Sequence, residues 1–279
     1  MNGIRGESPQ LSVSIVTYNS SLELLQRTLS SLQVAARRVV PHLLSAVRVA
    51  VVDNASDPGY QEELGSLLEE LRPQAGFEVE EIYLPRNMGY GGGHNQAPMD
   101  GDYHLVLNPD VELDEDALEA GLARFEEQQG AVLLSPRARG PDGEQEFLCK
   151  RYPTVLVLLL RAFAPGLGQR WFPGQMASYQ MSDACGGENP LEVPLASGCF
   201  MLLRGPNMRA VGGFDARYFM YFEDFDLSLR LAAEGFLEYL PTMRIVHHGG
   251  YAGSKGLAHM KLFVRAGLRF FRQHGWRWF

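Results

Sequence analysis

Val47-Arg48-Val49-Ala50-Val51-Val52-Asp53-Asn54-Ala55-Ser56 is an apolar run, broken only by Arg48, that stops abruptly on a carboxylate and an amide. Its β-branched content marks a strand, and the lack of polar alternation marks one covered on both faces, as in parallel sheets. Upstream, residues 13–17 have the same character, and Leu22, Leu25, Leu29 and Leu32 then recur at helical spacing behind the available caps Ser20 and Ser21. Downstream, 63–71 reads as a helix, 79–84 as a third strand, and 103–107 as a fourth that stops at Asn108-Pro109-Asp110. Strands alternating with helices predict an α/β fold with a mostly parallel central sheet flanked by helices. In open sheets of this kind ligands sit beyond the carboxyl ends of the strands. Thr17-Tyr18-Asn19, Asp53-Asn54 and Asn108-Pro109-Asp110 are therefore expected to line one crevice.

The chain has 279 residues, 46% of them hydrophobic, enough for one large core or two small ones. Cys149, Cys185 and Cys199 are odd in number and lack CxxC spacing, which argues against a disulfide framework or a structural zinc site and fits a reducing cytoplasm. Residues 1–10 are mostly polar and do not read as a signal peptide. The longest apolar run, 155–160, is far short of the ~20 residues that span a bilayer. Net charge is −8, yet no acidic residue follows Glu238. Leu257, Met260, Val264, Leu268 and Phe271 recur at helical spacing beside Lys261, Arg265, Arg269 and Arg272, and Trp276, Trp278 and Phe279 crowd the end. Such a basic amphipathic helix either lies on an anionic membrane surface or packs its apolar face on the domain.

Two local features carry chemistry. Glu223-Asp224-Phe225-Asp226 sets three carboxylates inside four residues of an aromatic stretch. Carboxylates crowded in apolar surroundings repel and lose hydration, so at least one has a raised pKa and is a candidate general base. The alternative is a helix start whose acidic first turn favours the dipole. The second feature, Asn87-Met88-Gly89-Tyr90-Gly91-Gly92-Gly93-His94-Asn95, could bring backbone amides close to a phosphate or could be a flexible turn. It is not a dinucleotide fingerprint, because the third glycine would fall at His94, and it lacks the Gly-Lys-Ser of a P-loop.

Ser-Ile-Val-Thr-Tyr-Asn (14–19), Val-Val-Asp-Asn-Ala-Ser (51–56), the glycine loop, Leu-Asn-Pro-Asp-Val (107–111), Ser-Gly-Cys-Phe (197–200), Gly-Gly-Phe-Asp (212–215) and Phe-Glu-Asp-Phe-Asp (222–226) occur in that order. Together they resemble the family 2 glycosyltransferases of the GT-A fold, particularly the bacterial rhamnosyltransferase-like branch that builds cell-surface polysaccharides, over residues 11–254. The resemblance implies a catalytic domain, 1–256, with the basic helix 257–279 part of it or appended to it. It implies that Asp53 accepts the imide N–H of the base, that Thr17 and Asn19 sit beside the nucleotide, and that Asn87, Gly89 and Asn95 contact nucleotide and sugar. Asn108 stands where the family's Asp-x-Asp motif has its first acid and is expected to meet the ribose. Asp110 is left as the one carboxylate on a Mg²⁺ or Mn²⁺ ion bridging the donor phosphates, with His247 and His248 as candidate further ligands. Lys255 is expected to offset leaving-group charge.

The implied reaction is inverting transfer, with Asp224 taking the acceptor proton, Asp226 as second choice and Glu223 orienting the acceptor. dTDP-L-rhamnose is the first donor expected, then a UDP-hexose or UDP-hexosamine. The acceptor is a glycan or lipid-linked saccharide, and no nucleic acid is involved. The expected place is cytoplasmic, at the inner face of the cytoplasmic membrane if the tail engages lipid. Residues 96–102 are short and carry Pro98, predicting a stunted helix, and 163–190 lacks periodicity and reads as an acceptor-side loop. An inert nucleotide-sugar-binding protein would keep the fold without needing Asp224. An oxidoreductase would need a first-loop glycine fingerprint that Thr17-Tyr18-Asn19-Ser20 lacks.

Overall fold

Strand β1 (Gln10–Thr17) is buried from Leu11 onward, as its unbroken run of apolar and small residues requires. The computed structural model describes residues 9–74, 76–249 and 257–279. After β1 come α1 (Leu22–Val39), β2 (Ala46–Asp53), α2 (Pro58–Leu71), β3 (Glu78–Tyr83), α3 (Tyr90–His94), β4 (Tyr103–Leu107), β5 (Val111–Leu113), α4 (Ala117–Glu127) and β6 (Ala131–Arg139). The second half holds β7 (Gln145–Glu146), β8 (Cys149–Lys150), α5 (Val155–Phe163), α6 (Pro165–Trp171), α7 (Pro173–Gln180), β9 (Leu191–Glu192), β10 (Leu195–Ala196), β11 (Phe200–Arg204), α8 (Gly205–Ala210), α9 (Glu223–Leu231), β12 (Phe236–His247) and α10 (Leu257–His274).

The main sheet runs β3-β2-β1-β4-β11-β6-β12-β5. Its first four strands are mutually parallel, β11 runs antiparallel to both neighbours, and β12 returns parallel to β6. Register sets Thr17 opposite Asp53 and Ile15 opposite Leu107, so the predicted strand ends do share one edge. Helix α1 shows why the local sequence folds as it does. The Ser21 hydroxyl accepts from Leu24 N–H at 3.3 Å, Glu23 occupies the positive end, and Arg37 and Arg38 the negative one. Leu25, Leu29, Leu32, Ala36 and Val39 then form its buried stripe. Each fully buried leucine contributes roughly 1.5–3 kcal/mol.

One core cluster lies under α1 and α4, and another lies against α8 and α9. A third joins α5, α7, α9 and α10. Residues 163–190 are not the irregular loop expected, because α6 and α7 lie within them. Each of these helices opens on a proline at its first position. Proline starts a helix well but cannot continue one, so restarting every few residues erased the periodicity. Residues 96–102 hold no helix, and the short α3 (Tyr90–His94) ends before them. Helix α10 packs on the domain through Ala266, Phe270 and Phe271, with Phe263 against the same cluster. Val264 and Leu268, from the stripe expected to be its apolar face, stay exposed.

Candidate active site

Strand β2 carries Asp53 as its fully buried last residue. Its Oδ2 accepts from Ser56 N–H at 3.1 Å and from the Gln61 amide at 2.6 Å, whereas the buried Oδ1 has no partner. A buried carboxylate oxygen left over at a strand end suits a donor on a ligand. Thr17 is buried directly across from it. Asn19 ties the loop after β1 to the loop after β2. Held at φ 46°, it donates its N–H to the Ser56 hydroxyl at 2.8 Å and accepts from Asp57 N–H through Oδ1 at 3.0 Å.

The glycine loop is held by its own neighbours. Asn54 Nδ2 donates to Gly89 O at 2.9 Å and its Oδ1 accepts from Met88 N–H at 2.7 Å. Asn87 closes its own turn by accepting from Gly89 N–H at 2.9 Å. Gly89 sits at φ 78°, where a Cβ would run into the Phe219 carbonyl. A Cβ on Gly91 would meet Phe214 at 2.7 Å, and one on Gly93 would meet Val16 at 2.9 Å. These glycines are needed for close packing of α3 on β1 and the 212–219 loop, and Gly91 to Gly93 are buried. Asn95 Nδ2 donates to Phe214 O at 2.7 Å and its Oδ1 accepts from Phe214 N–H at 2.9 Å, so the amide holds the Phe214 backbone.

A cleft of about 480 Å³ gathers Tyr90, Asn108, Ser197, Gly198, Glu223, Asp224 and His247, with Leu158, Tyr179 and Phe263 in its wall. It joins the end of β4, the end of β12 and the first turn of α9. Asp53 and Thr17 lie outside it, further along the same sheet edge. Tyr90 was not singled out from sequence. Its hydroxyl lies 3.0 Å from Asn108 Oδ1 and 2.6 Å from Gly198 O, and burial holds its phenol well above the ordinary value.

Asp110 follows β4, and its buried Oδ1 has no hydrogen-bond partner. His247 Nε2 lies 3.8 Å from that oxygen, while its Nδ1 is 2.7 Å from Glu146 Oε2. In the tautomer that donates Nδ1–H to Glu146, Nε2 presents a lone pair beside a free carboxylate oxygen, the carboxylate–histidine arrangement of metal sites. A Cβ on Gly249 would strike the His247 ring, so only glycine fits above it. Among the described residues no group of three or more His, Cys, Asp or Glu could hold a metal. The two-residue donor set thus fits a cation that completes its shell with ligand phosphate and water. His248 Nε2 is 2.5 Å from Glu112, which also pairs with Arg27. Lys255 lies outside the described residues. Glu146 arrives from a strand 101 residues away and left no sequence signal.

The acidic run splits into three roles. Tyr221 and Phe222 both take left-handed backbone, at φ 72° and 65°, immediately before α9. Each such residue stores about 1–3 kcal/mol of strain, and together they turn Glu223 and Asp224 to the cleft. Glu223 is buried with Oε2 unpartnered, and burial followed by the Asp224 charge pushes its carboxyl up to about 8. Asp224 is half-buried and is also raised by burial. It is steadied by Gly198 N–H at 3.1 Å and Phe225 N–H at 2.9 Å. Gly198 leaves room for both neighbours, since a Cβ there would sit 3.0 Å from the Tyr90 ring and 3.4 Å from Asp224. Asp226 is not among the residues that line the cleft. Fully buried, it accepts from Arg230 at 2.8 Å on one oxygen, and its other oxygen lies 2.8 Å from both Gln273 and His274 of α10.

A parallel half-sheet with a free buried carboxylate at its strand ends, continuing into a cleft beside an Asp–His pair and lined by an acid pair, is the ligand crevice of an α/β enzyme. Residues 12–204 match the model for glycosyl transferase family 2, and the chain belongs to that family. An N-acetylglucosaminyl-diphospho-decaprenol L-rhamnosyltransferase of Mycobacterium tuberculosis is 30% identical over 95% of this chain and 86% of its own length. Rhamnosyltransferase WbbL of Escherichia coli K12 is 31% identical over 57% of this chain and 61% of its own. Among solved structures, GalNAc-T7 with UDP, GalNAc and Mn²⁺ superposes with a TM-score of 0.64 at 16% identity, covering 95% of this chain and 48% of that one. The Pyrobaculum calidifontis mannosyltransferase with GDP-Man and Mn²⁺ gives 0.56 at 15%, covering 88% and 58%. The fold is therefore GT-A. Among the described residues no helix is long and apolar enough to cross a membrane.

Proposed function

We propose that this glycosyltransferase moves L-rhamnose, with inversion, from dTDP-L-rhamnose to a hydroxyl of a lipid-diphosphate-linked saccharide, a precursor of cell-surface polysaccharide. The observation that carries the sugar and acceptor is the near full-length likeness to a mycobacterial protein named for that reaction. For the chemistry, support comes from the cleft, which Asp224 and His247 both line, with Asp110 3.8 Å from His247. Asp53 Oδ1 takes the imide N–H of the thymine, and Asn108 faces the ribose. Asp224 accepts the proton of the acceptor hydroxyl as its oxygen bonds to the anomeric carbon and the bond to the diphosphate breaks. Glu223, neutral near pH 7 with its carboxyl at about 8, donates a hydrogen bond that orients the acceptor. Asp110 and His247 would hold a divalent cation, Mn²⁺ being favoured by the imidazole, and its charge would neutralise the departing dTDP. Lys255 is assigned to the same leaving group. Acceptors of this type lie at the inner leaflet, so the protein works peripherally on the cytoplasmic face.

The test is thermal stabilisation by dTDP, UDP and GDP with and without Mn²⁺, followed by NMR of the glycoside formed from dTDP-L-rhamnose. A ligand at ~100 times its dissociation constant adds ~2.7 kcal/mol. Metal-dependent, dTDP-selective stabilisation and an inverted anomeric centre are expected. Preference for UDP, or retained configuration, overturns the donor or the mechanism respectively.

A further inference from the structure

All three tryptophans of this chain lie on the surface formed by α5, α6 and the C-terminal segment. Trp171 is 69% exposed and Trp278 58%, beside Phe279 at 95%. Helix α5 reads Val-Leu-Val-Leu-Leu-Leu before Arg161, apolar on every side. Its Val157 and Leu158 are buried, while Leu159 and Phe163, one turn apart, face outward. Helix α6 repeats the spacing with exposed Leu167 and Trp171. The C-terminus is seated on this layer, because Val155 N–H donates to Arg277 O at 2.8 Å and Leu156 N–H to Trp278 O at 3.3 Å. Trp276 stacks on Trp278 with ring centroids 5.3 Å apart. Soluble monomers seldom gather this many large exposed apolar side chains on adjoining elements.

Charge says what covers it. The chain carries −8 overall, yet residues 147–182 and 239–279 contain basic residues and no acid. Arg161 lies over the Tyr179 ring at 5.3 Å and Arg277 over Tyr152 at 4.2 Å. Neither has a carboxylate within ion-pair range among the described residues. Aromatic side chains rimmed by unpaired guanidiniums match the boundary between anionic headgroups and acyl chains. A second copy would have to bring one basic rim against another across a two-fold contact.

We propose that α5, α6 and the C-terminal aromatic segment form the surface on which this protein rests on an anionic bilayer. The inner side of the same layer, Leu158 and Tyr179, is a wall of the transfer cleft, so docking there opens the cleft at the lipid surface. The docking helices are thus distinct from the basic stripe of α10. The assignment stands apart from the choice of donor, since it is tested with vesicles that contain no acceptor.

The full chain is mixed with phosphatidylcholine vesicles, with or without phosphatidylglycerol, and read by co-sedimentation and tryptophan emission. Binding to the anionic vesicles with a blue-shifted emission is expected. The double variant Phe163→Ser/Leu167→Ser should partition at least about ten-fold more weakly, with an unchanged circular dichroism melt. Lys261→Glu/Arg265→Glu on α10 should retain the blue shift. No binding by the unaltered chain, or an emission unchanged on binding, overturns the proposal. So does loss of binding only in the α10 variant. A dimer in sedimentation velocity that dissociates in the double variant would instead give this face to a second copy.

Discussion

Replacing Glu223 by glutamine should stabilise this protein at neutral and alkaline pH, and the size of the effect follows from where the carboxyl sits. In the fold its pKa is about 8 against an ordinary 4.5, first because it is buried and then because Asp224 is beside it. Below pH 4.5 the group is protonated folded and unfolded alike, and its stabilising contribution is fully present. Between pH 4.5 and 8 the unfolded chain releases the proton while the folded chain keeps it. Stability therefore falls with rising pH, by up to about 1.4 kcal/mol per pH unit, and about 5 kcal/mol across the window is the ceiling. Glutamine has nearly the same shape and does not titrate, so that loss is removed. The assay is urea unfolding of both proteins at pH 4.5, 6, 7 and 8.5. The gap in unfolding free energy should widen steadily in favour of Glu223→Gln as pH rises. Because Asp224 ionises while Glu223 is still protonated, the variant should leave the acid limb of the rate profile nearly where it is. Parallel stability curves at all four pH values would refute a buried, neutral Glu223.

Three further outcomes separate the roles drawn for neighbouring carboxylates. Asp224→Asn should lower turnover by about 10²–10⁴ while sparing nucleotide binding, checked by initial rates beside dTDP calorimetry. Asp226→Asn, two residues on, should instead cost about 3 kcal/mol and expose α10 to hydrogen exchange, because it unpairs a buried charge network; below its melting temperature its turnover should stay within a few-fold of the unaltered protein. Glu146→Gln, which frees the His247 ring, should weaken Mn²⁺ affinity in the dTDP complex by about 10–100-fold with little effect on dTDP alone.

The parallel half of the sheet was legible from residues alone. β1, β2 and β4 are covered on both faces and so are mostly apolar or small, and β4 spans the 103–107 run read from the sequence. Asp53, Asn108, Asp110 and the acid pair were equally visible, since each interrupts or ends an apolar segment where charge is costly. Their neighbour Asp226 looked the same in sequence and differs because one helical residue turns it about 100° per step, away from the cleft and toward α10. Glu146 and Tyr90 were invisible because their meaning lies in partners far along the chain. Nothing in Tyr90 announces Gly198, and nothing in Glu146 announces His247.

The strand ends, the glycine loop and the acidic run belong to the sequence itself, because backbone propensity and burial act locally and leave periodicities and abrupt polar stops. Which histidine faces Asp110, which acid is an anchor, why the glycines are small, and which helices stay uncovered were decided by tertiary structure. Those properties depend on which side chains converge from distant segments, and a buried oxygen or an exposed ring is defined only by what the folded chain does or does not bring against it.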